Sequence, residues 1–238
     1  MSHLIIVRHG QSQWNLENKF TGWVDVELAP QGKLEACIAG ELIKKLNLEI
    51  KYFYTSYQLR SIDTLKLIIN TINIRPKNII KAWQLNERHY GALTGLNKEE
   101  TSKKLGEKKV HEFRRSWDIR PEPLDKKSPL HPVNIDIYKE LPKEIIPNTE
   151  SLKDTYKRVV TFYESNIKKQ LINNNVLISA HGNSIRALCK YLFNLDDEKI
   201  SKLEIPTGNP LMLKMDNKYD ISNCEYLDQD RSKDLLVY

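Results

Sequence analysis

Two histidines occupy equivalent places in a repeated pattern, and their surroundings suit phosphoryl chemistry. Each follows a short apolar run and precedes a glycine, as LIIVRHG at Leu4–Gly10 and VLISAHG at Val176–Gly182. Such a run, bounded by a turn, is typical of a buried parallel strand, and open α/β sheets bind ligands at the carboxyl ends of their strands. An arginine beside the first histidine and Asn183–Ser184 after the second add donors for an anion. Because a neutral imidazole can attack phosphorus, we predict that His9 and His181 converge on one phosphate.

A simpler interpretation exists for either histidine alone. A single strand–histidine–glycine unit is more often a strand cap whose imidazole satisfies nearby backbone groups. Here there are two such units, one with Arg8 beside it and one that opens a predicted helix. The combination favours a functional site.

The elements that must position these residues follow from the apolar spacing. It predicts three helices: one that begins after Pro30, one over Leu59–Ile72 and one over Leu152–Leu171. It also predicts short strands at Tyr52–Thr55 and Ile79–Trp83. The stripe of the first helix consists of Leu34, Ile38, Leu42 and Leu46. Because alternating strands and helices favour a parallel sheet, we expect an α/β fold, a three-layer sandwich with a mostly parallel central sheet and helices on both faces.

We expect one domain over residues 1–238, interrupted by a loop-rich insertion at about 118–148. Six prolines break any regular element in that stretch, at Pro121, Pro123, Pro129, Pro132, Pro142 and Pro147. Long loops of this kind are either passive surface excursions or lids and binding loops, and the sequence leaves both open.

Composition narrows the function classes. The net charge is +6, but basic and acidic residues are interspersed, so we expect no nucleic-acid partner. The apolar runs are too short for a membrane span, the start carries no signal-peptide pattern, and the three cysteines form no Cys-x-x-Cys pair. These features favour a cytoplasmic protein. The six histidines show no zinc-type spacing, so we expect no metal.

Longer motifs surround the two histidines. The first histidine belongs to RHGQSQWN at Arg8–Asn15, which is followed by FTGW at Phe20–Trp23. Further motifs follow in order at Leu85–Gly91, Gly95–Lys98, Arg114–Arg115, Thr149–Leu152 and Ala180–Ser184. Across nearly its whole length the chain resembles the cofactor-dependent phosphoglycerate mutases of the histidine phosphatase superfamily. It departs from their pattern at Leu59–Ser61, where only the arginine is kept, and in the tail at 230–238.

The resemblance assigns roles to individual residues. It implies that His9 is the nucleophile that forms a phosphohistidine and that Glu87 is the general acid and base. The residues implied around the transferred phosphoryl group are Arg8, Asn15, Arg60 and His181. The remaining positions implied to bind the ligand are Thr21, Gly22, Glu87, Arg88, His89, Tyr90, Lys98, Arg114, Arg115, Gly182 and Asn183.

The resemblance also implies a reaction, the interconversion of 2-phosphoglycerate and 3-phosphoglycerate in glycolysis and gluconeogenesis. In it, 2,3-bisphosphoglycerate primes the histidine, without a metal. The expected partners are small phosphoglycerates and a second copy of the chain in a homodimer, with a tetramer as the alternative.

Three other functions compete with this one. Lys98 and Arg114–Arg115 argue against a broad phosphatase, and Ser12 with Thr21–Gly22 follows the mutase pattern rather than that of a bisphosphoglycerate synthase. A non-catalytic binding protein would be expected to lack a core residue, yet the histidines, Arg60 and Glu87 are all present.

Overall fold

A six-stranded sheet forms the centre of the molecule in the computed structural model, which describes residues 2–216 and 218–235. The strands are β1 (Ser2–Arg8), β2 (Ile50–Thr55), β3 (Ile79–Lys81), β4 (Asn175–Ala180), β5 (Pro210–Met215) and β6 (Ile221–Tyr226). Their order is β3-β2-β4-β1-β5-β6. The first four are parallel, and β5 is antiparallel to both of its neighbours. The mostly parallel sheet is therefore confirmed. The end of the unmatched tail, at 236–238, lies outside the described residues.

Helices cover both faces of the sheet. They are α1 (Gln13–Leu16), α2 (Pro30–Lys45), α3 (Leu59–Ile72), α4 (Lys98–Leu105), α5 (Glu107–Arg115), α6 (Leu152–Phe162), α7 (Gly182–Leu192) and α8 (Asp197–Lys202). Successive side chains of a strand point to opposite faces. Accordingly, Ile5 and Val7 of β1 pack in one core with α2 and α3, while Leu4 and Ile6 pack in another with α6 and α7. The predicted three-layer sandwich is confirmed.

The stripe predicted for α2 is wrong, although the helix itself is present. Leu34 is 54% exposed and Ile38 is also exposed, whereas Ala36 and Ala39 are buried. The reason is the close approach of α3. A side-chain carbon at Gly40 would lie only 2.6 Å from Cβ of Thr71. The buried face of α2 therefore carries small residues, which a search for large apolar side chains does not find.

The insertion at 118–148 contains three short 3-10 turns, at Pro132–Asn134, Asp136–Tyr138 and Lys143–Ile145. It packs through buried side chains onto Trp23, and the Tyr138 hydroxyl donates a hydrogen bond of 2.7 Å to the Trp23 carbonyl. The insertion thus supports the loop around Trp23, which also contains the predicted ligand-binding residues Thr21 and Gly22. Among the described residues, no helix is both long and apolar enough to cross a membrane.

Candidate active site

The register of two neighbouring strands brings the histidines together. β1 and β4 are parallel and adjacent, and Arg8 is paired with Ala180, so that the residue after each is a histidine at the same sheet edge. The His9 amide donates to the Ala180 carbonyl at 2.9 Å. The rings of His9 and His181 pack edge to face with centroids 4.9 Å apart. The repeated sequence pattern therefore has a direct geometric meaning.

The imidazole of His9 is held neutral, with a defined tautomer. Its Nδ1 lies 2.7 Å from the Gly10 carbonyl, which can only accept, so Nδ1 carries the proton. The Arg60 Nε donates to Nε2 at 3.3 Å, which requires a lone pair on Nε2. Burial, followed by the charges of Arg60 and Arg8, lowers the pKa of His9 well below its ordinary value. His9 lines the cavity, and its unprotonated Nε2 carries the lone pair that a neutral imidazole can use as a nucleophile.

Backbone carbonyls aim two arginines at this imidazole. Arg60, in the first turn of α3, is 1% exposed and donates to the carbonyls of Gly22 and Val24, each at 2.9 Å. Gly22 has a φ of +56°, in the left-handed region that favours glycine. Arg8 donates through Nη1 to the Ile205 carbonyl at 2.7 Å, while its buried Nε has no hydrogen-bond partner within the described part of the chain. Such an unpaired buried donor is costly to keep, and an anion in the cavity would satisfy it.

Glu87 is one of the two carboxylates that line the cavity. It lies in an irregular segment, where its amide donates to Gln58 Oε1 at 2.9 Å. Its Oε1 accepts from the amides of Arg88 at 2.7 Å and Asn183 at 3.2 Å. Two backbone amides thus fix one carboxylate oxygen. The other, Oε2, faces Gly182, where an added side-chain carbon would lie 3.8 Å away.

Cationic side chains from other elements form the far end of the cavity. Lys98 begins α4, Arg114 and Arg115 end α5, and Arg115 pairs with Glu204 at 2.6 Å. Burial lowers the pKa of Lys98. The Tyr90 hydroxyl accepts from the side chain of Asn183 at 3.0 Å, which leaves its own proton for a ligand.

The cavity has a volume of about 350 Å³. Thirteen of the sixteen residues named from the sequence line it, namely Arg8, His9, Asn15, Thr21, Gly22, Arg60, Glu87, Tyr90, Lys98, Arg114, Arg115, Gly182 and Asn183. Seven cationic side chains and two carboxylates face this space. Its electrostatic field therefore favours an anion with more than one charged group.

Three of the named residues do not line the cavity. His181 lies behind His9, and its Nε2 is 2.7 Å from the Ser56 hydroxyl. Arg88 stacks on the Tyr90 ring at 4.6 Å. His89 is buried elsewhere: its Nδ1 accepts from the Gly91 amide at 2.9 Å, and burial lowers its pKa to about 3. This placement does not support a ligand contact through the His89 ring.

Sequence reasoning missed five lining residues, which are Arg186, Glu204, Ile205, Pro206 and Lys233. Arg186 follows Asn183 by three positions on α7, and helical spacing could have found it. Its Nη1 donates to the Asn183 side-chain oxygen at 2.9 Å. The connector at 204–206 and the tail lysine have no local pattern that marks them. Within residues 2–216 and 218–235, no three or more His, Cys, Asp or Glu side chains are grouped so as to hold a metal.

Comparisons with known proteins identify the family and the fold. The family model of the histidine phosphatase superfamily (branch 1) matches residues 4–133 and 128–220. Among solved structures, a mycobacterial glucosyl-3-phosphoglycerate phosphatase superposes with a TM-score of 0.69 at 19% identity, over 95% of this chain and 97% of that one. At that identity the likeness shows the fold alone.

Sequence relatives are much closer than this structural neighbour. The 2,3-bisphosphoglycerate-dependent phosphoglycerate mutase of Pelagibacter ubique (strain HTCC1062) is 64% identical over 239 residues, covering 100% of both chains. The protein of the same name from Hydrogenobaculum sp. (strain Y04AAS1) is 46% identical over 228 residues, covering 95% of this chain and 92% of that one. The chain belongs to the 2,3-bisphosphoglycerate-dependent phosphoglycerate mutase family of the histidine phosphatase superfamily.

Proposed function

We propose that this protein interconverts 2-phosphoglycerate and 3-phosphoglycerate in glycolysis and gluconeogenesis, through a phosphohistidine at His9. One observation carries the proposal: a neutral, buried imidazole with an unprotonated Nε2 lies at one end of a cavity whose other end is lined by a separate cationic set. The end with His9 suits phosphoryl transfer. The cationic end suits the binding of a phosphorylated carboxylic acid that must stay bound between two transfers. The names of the sequence relatives support the same reaction.

The cavity also fits the primer that these names imply, 2,3-bisphosphoglycerate. That molecule has two phosphates and a carboxylate, and the lining offers cationic donors at both ends. The buried Arg8 Nε and Thr21 Oγ1 have no partner in the part of the chain that the structure describes, and both are suited to phosphate oxygens. When bound, this primer supplies the phosphoryl group that loads His9.

In the transfer, a bond forms between His9 Nε2 and phosphorus while the bond from phosphorus to the glycerate oxygen breaks. Arg8 and Arg60 are held by carbonyls before any ligand arrives, so they can stabilise the charge that spreads over the phosphoryl oxygens without reorganising. His181 packs against His9 from behind, with the two ring centroids 4.9 Å apart, and supports the orientation of the His9 ring. Glu87 gives a proton to the departing oxygen and, in the reverse half, takes one from the attacking hydroxyl.

The far end of the cavity determines whether the bisphosphate stays bound between the two half-reactions. Lys98, Arg114 and Arg115 would hold the carboxylate and second phosphate, so that the bisphosphate turns in place instead of leaving. A site without these contacts would release it, and water would then take the phosphoryl group from His9. The protein would in that case act as a phosphatase.

A coupled assay tests the proposal. With 3-phosphoglycerate as substrate, 2-phosphoglycerate formation should depend on added 2,3-bisphosphoglycerate and should be unchanged in excess chelator. Rapid release of inorganic phosphate without isomerisation would replace the mutase by a phosphatase. Loss of activity in chelator, restored by one divalent ion, would overturn the expectation of no metal. The cytoplasmic location and the homodimer stay predictions, to be tested by fractionation and by mass in solution.

A further inference from the structure

We propose that Arg158 is a positioning residue that holds Glu87 where it can exchange its proton with substrate. The inference rests on the proposed function, because it assigns a task to a side chain that acts through Glu87. Arg158 is on α6 and is not among the residues that line the cavity. Its effect on the reaction must therefore pass through the segment that it holds.

The Arg158 guanidinium donates to three backbone carbonyls between Gln84 and Glu87. Arg158 Nη1 donates to the carbonyls of Gln84 at 2.6 Å and Asn86 at 2.9 Å, and Nη2 donates to the carbonyl of Glu87 at 3.0 Å. The segment from Asn86 to Tyr90 belongs to no helix or strand. The carbonyls of Asn86 and Glu87 thus lack the partners that regular structure would give, and a planar fork of donors replaces them.

Glu150 holds the same segment from the other side, and we call Arg158 and Glu150 together the clamp. It pairs with Arg158 through two bonds, at 2.7 Å to Nε and 3.0 Å to Nη2, and its Oε2 accepts the His89 amide at 2.8 Å. The two side chains are only 8% and 5% exposed. Buried ion pairs of this kind often contribute little net stability, so stability alone does not account for this arrangement. The pair instead fixes carbonyls and an amide on both sides of Glu87.

The position of the Glu87 carboxylate depends on this backbone. Its Oε1 is bonded to the amides of Arg88 and Asn183, one on the clamped segment and one on α7. If the segment shifts, the carboxylate must lose one amide or move with the segment. A misplacement of about 1 Å can cost on the order of 10²-fold in rate.

The test exploits the leaving group. Phosphoenzyme formation from 2,3-bisphosphoglycerate requires a proton for the departing alkoxide, whereas 4-nitrophenyl phosphate releases an anion that is stable near neutral pH. Arg158→Met keeps an apolar stem near Trp23, whose ring the guanidinium now covers at 5.8 Å. We expect it to slow the first reaction by about 10- to 100-fold and the second by no more than about threefold. Arg158→Lys, with one charged nitrogen, should lie between it and the native chain.

Two further variants calibrate the measurement. Glu87→Gln should show the same selective loss, only larger, and Lys157→Met, at an exposed neighbour on α6, should show none. If Glu87→Gln is not selective, the acid–base role of Glu87 fails first. If Glu87→Gln is selective but Arg158→Met slows both reactions equally, Arg158 is merely structural and the inference is wrong.

A binding measurement covers variants that fold poorly or react slowly with the aryl ester. Inorganic phosphate should bind Arg158→Lys and Glu150→Gln within about twofold of the native chain, because Arg8 and Arg60 hold the phosphoryl group independently of the clamp. Both variants should still lose mutase turnover with KM little changed. Weakened phosphate binding in step with turnover would contradict a role confined to Glu87.

Discussion

The two ends of the cavity are built differently. The phosphoryl floor comprises Arg8, His9, Arg60 and His181, which lie at or just after the ends of strands or in the first turn of a helix; His9, Arg60 and His181 are buried. The cationic rim comprises Lys98, Arg114, Arg115 and Lys233, which come from two short helices and the tail and are partly or fully exposed. Floor side chains are aimed by backbone carbonyls, such as those of Gly22 and Ile205. Arg115 on the rim is held mainly by an ion pair with the exposed Glu204 carboxylate at 2.6 Å, with a longer bond of 3.3 Å to the Leu203 carbonyl.

This difference suggests separate tasks: the floor carries out phosphoryl transfer, and the rim binds the rest of the ligand. A carbonyl belongs to the rigid sheet or its loops, so the floor is preorganised before a ligand binds. An exposed ion pair contributes little and exchanges readily, so the rim can adjust to a ligand that turns. We therefore expect changes to the floor to abolish transfer and changes to the rim to alter the fate of the bisphosphate.

The largest effect is expected at His9. His9→Ala should abolish the acid-labile phosphoenzyme and turnover together, because the attacking nitrogen, Nε2, is lost. Acid-quenched labelling with radioactive 2,3-bisphosphoglycerate would measure this. A phosphoenzyme that survives in the variant would place the nucleophile elsewhere.

The next effect is expected at Glu87. Glu87→Gln keeps the size of the side chain but cannot exchange a proton, and losing a positioned acid or base typically costs on the order of 10²–10⁴-fold. Mutase turnover should fall in that range while His9 stays able to accept phosphate. Steady-state rates of the variant and the native chain give the comparison, and near-normal turnover would remove Glu87 from the mechanism.

Substitutions in the rim should have smaller effects than those in the floor, and effects of a different kind. Replacing Arg114 and Arg115 with alanine removes charge-assisted bonds to the far end of the ligand, at roughly 1.5–3 kcal/mol for each bond. We expect a higher KM for 3-phosphoglycerate and faster hydrolysis of 2,3-bisphosphoglycerate. Lys103→Ala, an exposed change on α4, is a matched control. Normal mutase kinetics without added hydrolysis in the double variant would show that the rim does not retain the bisphosphate.

The smallest predicted effect concerns stability in acid. Burial lowers the pKa of His89 to about 3, so between about pH 6.5 and 3 the unfolded chain binds a proton there that the folded chain does not. Stability should therefore fall as the pH decreases, by roughly 2 kcal/mol from this residue between pH 7 and 5. Urea unfolding at both pH values should show a smaller fall for His89→Gln, and an unchanged fall for His111→Gln, which alters an exposed ring. Equal falls in all three proteins would contradict this origin.

Local patterns predicted that His9 and His181 lie together, whereas Arg60 was named only from the family resemblance. Tertiary contacts explain what the local patterns missed. The two strand–histidine–glycine units are short and apolar, and parallel pairing of Arg8 with Ala180 then fixes their meeting point. In the sequence, Glu150 stands out only as part of the motif at Thr149–Leu152, which gave it no role. Its bonds to Arg158 and the His89 amide join residues far apart in the chain, and no periodicity encodes them. Lys233 reaches the cavity from a tail without a recognisable motif, for the same reason.

The central claim is that the floor transfers the phosphoryl group while the rim retains the molecule that carries it. The direct test is a chase of isolated, radioactively labelled phosphoenzyme with unlabelled 3-phosphoglycerate, followed by separation of the products. We predict that the label appears in 2,3-bisphosphoglycerate and the monophosphoglycerates, and that little appears as inorganic phosphate. Label released mainly as inorganic phosphate would contradict the account.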